Sequence, residues 1–341
     1  MNPLQLVRGV FGRVTGVIQR KPRAIWFAQR LSGGALEKWN AWRGQTASPR
    51  ERFVPLRAPA VIRGQDAAYL TEDEYVIGIT IEGNSRAYPL RMLGFHHLAQ
   101  DRIGDTPVLV AHCPKCNSAV AFRPVVAEQE RTFEVSGLRN EVLAMVDKET
   151  GTVWSHLTGT ALSGPDEKVQ LEFIPTLQVP WSKWRELHPD TGVLSDNTEF
   201  NWAYVATDAH DDASSHALSP STMGLGIEAA GNATFFPFLD GRRQGEVVPQ
   251  FRLGAIQAVL FDIPSTEACA AYDATLDGRH LSFARCGDAQ WRDGETQSQW
   301  NLEGVAVSGP LAGRRLRSLR TSTTRWYFWK RHYPQTGIID S

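Results

Sequence analysis

The chain has 341 residues, 42% of them hydrophobic, and its 36 Lys and Arg residues against 37 Asp and Glu residues leave a formal net charge of −1. Its length allows two ordinary domains or one large one. The balanced charge argues against a nucleic-acid partner, and four cysteines are too few for the disulfide framework of a small secreted domain, which favours a cytoplasmic protein with reduced thiols.

The first predicted element is a basic helical arm within residues 1–50. Residues 1–36 contain no Asp or Glu, and apolar residues recur at helical spacing between Val7 and Ile18 among several arginines. This pattern predicts an amphipathic helix that packs on the protein itself or contacts a membrane surface or another protein. Arginines interrupt the apolar run that a secretory signal needs, and no stretch reaches the roughly eighteen apolar residues of a spanning helix. We therefore expect a cytoplasmic protein, with membrane association through the arm left open.

Two long stretches of the chain, 164–192 and 309–337, match each other without a gap. Weaker matches pair segments further upstream. The chain is therefore predicted to contain two copies of one ancestral unit, over 71–195 and 221–340, joined by a polar connection over 196–220. The residues retained in both copies are chiefly aromatic, apolar, Gly and Pro, which indicates a shared scaffold. The clearest examples are the tryptophan pairs Trp181 and Trp184, and Trp326 and Trp329.

Short runs of β-type residues broken by turns dominate both copies, as in YVIGITI (75–81) and PVLVAH (107–112). Two segments have helical spacing instead, LRMLGFHHLAQD (90–101) and WSKWRELHPD (181–190). These patterns predict a β-rich α+β fold of two related lobes, each with mainly antiparallel sheets and short helices.

A Cys-x-x-Cys pair, Cys113 and Cys116, lies between two apolar runs in VLVAHCPKCNSAVAF (108–122). In the aligned second copy, Ile263 and Thr266 replace the two thiols. Because a pair kept for packing would be expected in both copies, the thiols are candidates for chemistry.

Several other residues of the first copy also lack a counterpart in the second. Imidazole, thiolate and thioether groups suit a borderline or soft ion such as copper or zinc, whereas magnesium and calcium prefer oxygen. A lone histidine or methionine can equally belong to a core or a surface, so these assignments stay hypotheses. The predicted metal ligands are Cys113, Cys116, His96, His97, His112 and Met145, and the predicted catalytic residues are Cys113, Arg139 and Asn140.

Other sites find less support in the sequence. A closed four-cysteine zinc site would need Cys269 and Cys286, which form no second knuckle. A thioredoxin-type dithiol normally opens a long helix, but the segment after Cys116 is short and β-branched. Phosphate-binding loops, serine-hydrolase elbows, zincin motifs and EF-hand loops are absent from the sequence.

Several motifs of the chain resemble, in order, the signature of a bacterial domain-of-unknown-function family, number 3179. The resemblance spans about residues 71–340 and implies no settled function. On matching positions it points to Cys113, Cys116, His96 and Met145. The chain departs from the signature at His97, where the family has a glutamate, and at His112, where an aromatic residue is usual. The motifs are CPKCNSAVAF (113–122), FEVSGLRNEVLAMVDKETGTVW (133–154), LTGTALSGP (157–165), WSKWRELHPDTGVLS (181–195), GPLAG (309–313) and WYFW (326–329).

The leading hypothesis is a metalloenzyme with copper, or alternatively zinc, at a Cys/His site in the first lobe. An open ligand position would support oxidative chemistry on a small-molecule or peptide substrate, and Arg139 would hold an anionic group of that substrate. Three alternatives stay open: a carrier that hands on copper without turnover, a thiol-disulfide protein with Cys113 as nucleophile and Cys116 as resolving thiol, and a binding module without catalysis.

Overall fold

The computed structural model shows a β-rich protein with four α-helices and mostly antiparallel sheets among the residues it describes, which confirms the predicted β-rich α+β character at that level. Those residues are 31, 33–45, 52–205, 218–239, 247–264 and 266–339. The helices are α1 (Gly33–Gln45), α2 (Leu90–His96), α3 (Trp181–Leu187) and α4 (Trp326–His332). Within the same residues, no helix has the length and apolar character needed to cross a membrane.

The first part of the chain, residues 56–194, forms three sheets and a small hairpin. Only the contacts of β1 with β5 and of β4 with β16 are parallel. In spatial order the first sheet contains β1 (Leu56–Arg57), β5 (Leu98–Ile103), β6 (Thr106–Cys113), β7 (Ser118–Arg123) and β14 (Glu172–Ile174). The second contains β15 (Leu177–Pro180), β3 (Tyr75–Ile81), β4 (Asn84–Pro89), β16 (Gly192–Leu194) and β2 (Val61–Arg63). The third contains β10 (Phe133–Arg139), β11 (Val142–Asp147), β12 (Val153–Ser155) and β13 (Ala161–Ser163), and the hairpin contains β8 (Val125–Val126) and β9 (Gln129–Glu130).

The second part of the chain, residues 223–338, forms three sheets. Their strands have the same spatial order as the matching strands of the first part. One contains β29 (Arg320–Arg325), β17 (Met223–Ala229), β18 (Asn232–Pro237) and β30 (Gly337–Ile338), the last pair being parallel. Another contains β19 (Gln250–Leu253), β20 (Ile256–Asp262), β21 (Cys269–Asp273) and β28 (Arg317–Ser318). The remaining strands are β24 (Phe283–Gly287), β25 (Gln290–Asp293), β26 (Gln299–Asn301) and β27 (Ala306–Ser308), with the hairpin β22 (Thr275–Leu276) and β23 (Arg279–His280).

Three sequence-based boundaries differ from the structure or fall outside it. The helix expected over 90–101 ends at His96, because His97 adopts a left-handed φ of 64° and Leu98 begins a strand. The basic residues 1–30 of the predicted arm lie outside the described residues, whereas α1 buries Trp39 against neighbouring aromatic side chains. The described start of the predicted connection, 196–205, contributes to the same aromatic cluster.

A tryptophan resting on a glycine fixes α3 against its sheet. The Trp184 ring lies so close to Gly78 of β3 that a Cβ atom at position 78 would be 2.2 Å from it. The indole Nε1 donates a hydrogen bond of 2.9 Å to Thr191 Oγ1, so this buried ring leaves no polar atom without a partner.

Helix α4 repeats this arrangement in the second part. A Cβ atom at Gly226 would lie 2.3 Å from the Trp329 ring, and Trp329 Nε1 donates to Thr336 Oγ1 at 2.9 Å. Trp181 is buried like these two rings, whereas Trp326 is only partly buried. The core role expected of the tryptophan pairs is thus confirmed for three of the four rings.

Each of the two helices packs across the boundary between the two parts. Trp181 and Trp184 of α3 belong to one hydrophobic cluster with Trp291 and Trp300 of the second part. Phe328 of α4 belongs to the cluster that contains the two cysteines of the first part. The second part therefore contributes to the environment of the cysteine pair.

Replacement of Trp184 or Trp329 by alanine is expected to lower the free energy of unfolding by about 3–5 kcal/mol, because each ring fills a closed space above a glycine. Urea denaturation followed by circular dichroism measures the change. Trp326→Ala is the matched control and should cost clearly less, since that ring is partly exposed. Equal losses for Trp326 and Trp329 would contradict this account.

Candidate metal centre

The two cysteines stand at the ends of a tight turn between β6 and β7. Cys113 is the last residue of β6, and Cys116 lies two residues before β7 begins at Ser118. Both thiol side chains are buried, at 2% and 0% exposure. The second part holds the turn, because the Arg325 backbone N–H and the Thr324 hydroxyl each donate to the Cys116 carbonyl oxygen at 3.1 Å.

A histidine after β12 joins the two cysteines. The Sγ atoms of Cys113 and Cys116 and a ring nitrogen of His156 all lie within 4.8 Å of one another, and all three residues are buried. His156 Nδ1 contacts the Leu143 carbonyl oxygen at 2.9 Å. Because a carbonyl only accepts hydrogen bonds, Nδ1 carries the proton and Nε2 keeps its lone pair. That lone pair is the one a metal ion would need.

Ser118 bridges the histidine and one thiol. Its hydroxyl oxygen lies 2.7 Å from His156 Nε2 and 2.9 Å from Cys116 Sγ, while Nε2 and Cys116 Sγ are 3.9 Å apart. Since Nε2 accepts, the Ser118 hydroxyl donates to it, and the Cys116 sulfur lies within hydrogen-bond distance of the same hydroxyl oxygen. The hydroxyl group thus contacts two of the three candidate ligands and fixes their positions relative to each other.

The two thiols differ in acidity. Burial raises the pKa of Cys113, but hydrogen bonds from the Cys116 thiol and from nearby backbone amides outweigh it and lower the pKa to about 7. Burial and the neighbouring Cys113 raise the pKa of Cys116 well above its ordinary value. Burial also lowers the pKa of His156 to about 3. A neutral imidazole beside a thiol that ionises readily fits a metal ion, which binds these deprotonated forms.

His96 lies in a different environment. Its Nδ1 donates to the Val54 carbonyl oxygen at 2.5 Å, and its Nε2 accepts from the Tyr204 hydroxyl at 2.8 Å. Both ring nitrogens are therefore occupied, and burial lowers the pKa of the ring to about 4. The structure does not bring His96 into the group with the cysteines, and its predicted ligand role stays a prediction.

His97 and His112 are neighbours of each other, joined by a hydrogen bond of 2.8 Å from the His112 N–H to the His97 carbonyl oxygen. The His97 ring stacks on Phe53 at 4.3 Å, and His112 Nε2 lies 3.5 Å from Asn117 Oδ1. Neither ring belongs to the group formed by Cys113, Cys116 and His156.

The remaining predicted residues also lie outside that group. Met145 is buried in β11, where it pairs with Trp154 of β12. Arg139 and Asn140 are exposed at the turn between β10 and β11, and Asn140 adopts a left-handed φ of 49°. The structure therefore unites two of the predicted ligands, the cysteines, with a histidine that was not predicted.

A signal for His156 was present in the internal repeat. The indole of Trp154 donates to Asp147 at 2.8 Å, and the indole of Trp300 donates to Asp293 at 2.9 Å. Aligning these tryptophans sets His156 opposite Leu302. The comparison that singled out the cysteines would have singled out His156 if it had been extended by two residues.

The corresponding place in the second part is built from other side chains, including a buried ion pair of Arg285 with Asp262 at 2.7 Å, and the Arg285 guanidinium lies over the Trp291 ring. By strand register, Ala268 stands where Ser118 stands, and Trp291 stands where Met145 stands. The Trp291 ring stacks on Phe261 with centroids 4.4 Å apart and planes 10° apart. The polar cluster of the first part is therefore not needed to build this scaffold.

Comparisons with curated proteins and with solved structures returned no match. A family model described as "Protein of unknown function (DUF3179)" matches residues 53–336, which confirms the resemblance seen in the motifs around the cysteine pair. Because this match covers most of the sequence, the chain belongs to the DUF3179 family.

Proposed function

We propose that the protein binds one transition-metal ion through Cys113, Cys116 and His156, and that it is an oxidoreductase acting through this ion. The observation that carries the proposal is the convergence of two buried sulfur atoms and a ring nitrogen within 4.8 Å. The hydrogen bond from His156 Nδ1 to Leu143 supports it, since this bond leaves Nε2 unprotonated, and a metal ion would take the Nε2 lone pair in place of the Ser118 hydroxyl.

Copper is favoured over zinc because of the softness of the ligands. Two sulfurs and one nitrogen fall short of the four protein ligands of structural zinc, but catalytic zinc also binds a set of two cysteines and one histidine with an open fourth position, so the number of ligands does not separate the two metals. Thiolates select Cu(I), and imidazole suits copper as well. Bound copper would supply one-electron chemistry, and the chain would orient its ligands through Leu143 and Ser118. Zinc with an added ligand remains the alternative.

The second candidate function is thiol-disulfide exchange. The lowered pKa of Cys113 and the raised pKa of Cys116 favour it, because an attacking thiol needs its thiolate form. Exchange also needs access of the partner disulfide to the attacking sulfur. Both sulfurs are buried, and the Arg325 N–H holds the turn from the second part. This burial supports the metal site over a dithiol.

We also propose that 71–195 and 221–340 descend from one duplicated unit, the first lobe keeping the site and the second having lost it. Equal strand orders in the sheets and the paired bonds of Trp184 and Trp329 to threonines support this descent. A cytoplasmic location and a membrane-surface or protein contact through residues 1–50 stay predictions, as does the anionic-group role of Arg139.

His156→Ala and Cys113→Ser are each expected to weaken copper binding by more than about 100-fold, the upper range for groups that only orient ligands. Each change removes a ligand atom, while the fold persists because the corresponding place in the second part is built without these residues. Competition with a Cu(I) chelator measures the affinity, and circular dichroism checks the fold.

His96→Ala is the matched control for His156→Ala, since both remove a buried imidazole. We expect His96→Ala to keep the metal, because His156, and not His96, belongs to the group of ligand atoms that lie within 4.8 Å of one another. Loss of metal from His96→Ala together with retention by His156→Ala would replace the proposed ligand set by the one predicted from sequence.

Ser118→Ala is expected to weaken metal binding by about 10–100-fold, because the metal ion would displace the Ser118 hydroxyl from Nε2 and leave it to donate to the Cys116 thiolate, 2.9 Å away. Ser118→Cys should strengthen the thiolate-to-cobalt charge-transfer absorption of the cobalt-substituted protein, since it adds a third sulfur. Ser298→Ala, a buried serine of the second part, is the control and should leave affinity and spectrum unchanged. An unchanged cobalt spectrum in Ser118→Cys would place this side chain outside the ligand group.

A further inference from the structure

Arg320 of β29 places its guanidinium group at a contact between the second part of the chain and the first. Arg320 Nε lies 3.6 Å from Glu228 Oε2, and its Nη1 donates to the Thr158 carbonyl oxygen. The guanidinium carbon is 5.6 Å from the centroid of the Phe173 ring. Arg320 is only 15% exposed, so its charge is compensated by a carboxylate, a carbonyl and an aromatic face.

The corresponding contact on the other side of the molecule has no arginine at the equivalent strand position, although Arg315 lines it from another element. Gly226 pairs with Ser322 in the second part as Gly78 pairs with Leu177 in the first. Two residues after each glycine, Thr80 is the counterpart of Glu228. Two residues before Leu177 and Ser322, Pro175 is the counterpart of Arg320. The carboxylate and the guanidinium are therefore both missing from these two strands.

At this second contact a loop supplies the carboxylate instead of a strand. Gly304 contacts the Tyr272 ring as Gly159 contacts the Phe122 ring, so the residue before each glycine occupies the same place. That residue is Thr158 at the filled contact, where Arg320 reaches its carbonyl oxygen. It is Glu303 at the other contact.

The missing arginine leaves a cavity of about 190 Å³ between the two parts. This volume holds several water molecules or one small organic cation. None of its lining residues belongs to the group formed by Cys113, Cys116 and His156. The lining includes Thr80, Pro175, Tyr272, Glu303, Arg315 and Thr321.

The wall of the cavity carries a shielded negative charge at Glu303, whose side chain is 12% exposed. Burial raises the pKa of Glu303, but hydrogen bonding and the charge of His188 outweigh it and lower the pKa. His188 Nε2 lies 3.2 Å from Glu303 Oε2, while Arg315 Nη1 donates to the backbone carbonyl oxygen of Glu303 at 3.2 Å. The His188 N–H and the Thr80 hydroxyl bond this carboxylate and the charge of Arg315 acts on it, which leaves further acceptor sites among the about four that a carboxylate has.

We propose that this cavity is a binding site for a small alkylguanidinium ligand, with Glu303 as the counter-ion. The guanidinium fork matches a carboxylate geometrically. The filled contact shows that the same framework accommodates a guanidinium when Arg320 supplies it. The guanidinium group of the ligand occupies the space that an arginine side chain at position 175 would fill. Its alkyl chain lies along the Tyr272 side of the cavity.

Titration of the full-length protein with propylguanidinium chloride by isothermal titration calorimetry tests this site. Propylurea, which has the same shape without the charge, is the control ligand. We expect saturable binding of propylguanidinium that is at least about ten-fold tighter than binding of propylurea. Glu303→Gln should weaken it by about ten-fold or more. Absence of saturable binding, or comparable binding of propylurea, would overturn the proposal.

Two further variants separate the cavity from general charge effects. Pro175→Arg should abolish binding, because its own guanidinium would fill the cavity as Arg320 fills the opposite contact. Glu228→Gln, at that opposite contact, should leave the affinity for propylguanidinium unchanged. Undiminished binding by folded Pro175→Arg would refute the location even if Glu303→Gln failed to fold, and melting curves establish which variants are folded.

Discussion

The seating of a tryptophan on a strand glycine is the contact on which the arrangement of this protein depends. Trp329 can lie against β17 only because position 226 has no Cβ atom, and this contact fixes where α4 begins. Thr324 and Arg325 are the last residues of β29, which pairs with β17 and leads into α4, and both donate to the Cys116 carbonyl oxygen. The strand and helix packed on β17 in the second part therefore contact a turn of the first.

Each of the two helices also closes a hydrophobic cluster of the other part of the chain. Phe328 of α4 closes the cluster around the cysteines, and Trp181 of α3 closes the corresponding cluster of the second part. Each part needs the helix of the other to complete its core. The second part has no such ligands and still caps the first, because the cap requires the helix and not the ligands.

The sequence predicted those features that depend on neighbouring residues. Cys113 and Cys116 lie within one turn, so their proximity follows from their spacing, and the aromatic pairs of α3 follow from helical periodicity. His156 reaches the cysteines only because β11 and β12 pair and β6 packs nearby, which spacing alone does not give. His96 carried a plausible motif, but it lies outside the group that the cysteines form with His156, and long-range folding decides which histidine joins them. The similarity between the two stretches of sequence was the one source of non-local information, since residues without a counterpart in the second stretch include two of the three members of this group.

The energetic cost of the polar cluster argues for a function. Burying a hydroxyl, an imidazole and two thiols costs free energy unless each finds a partner, and a satisfied polar cluster gives little stability over well-packed hydrocarbon. The second part builds a similar framework without these ligands, with Trp291 stacked on Phe261, Ala268 in place of Ser118 and a buried Arg285–Asp262 ion pair. A scaffold that can be built without the sulfurs and the imidazole retains them where they have a use. Two sulfurs and a nitrogen lone pair that converge in a buried space have the softness and the geometry for a transition-metal ion, and the hydrogen bond from His156 to Leu143 already orients the ring for that role.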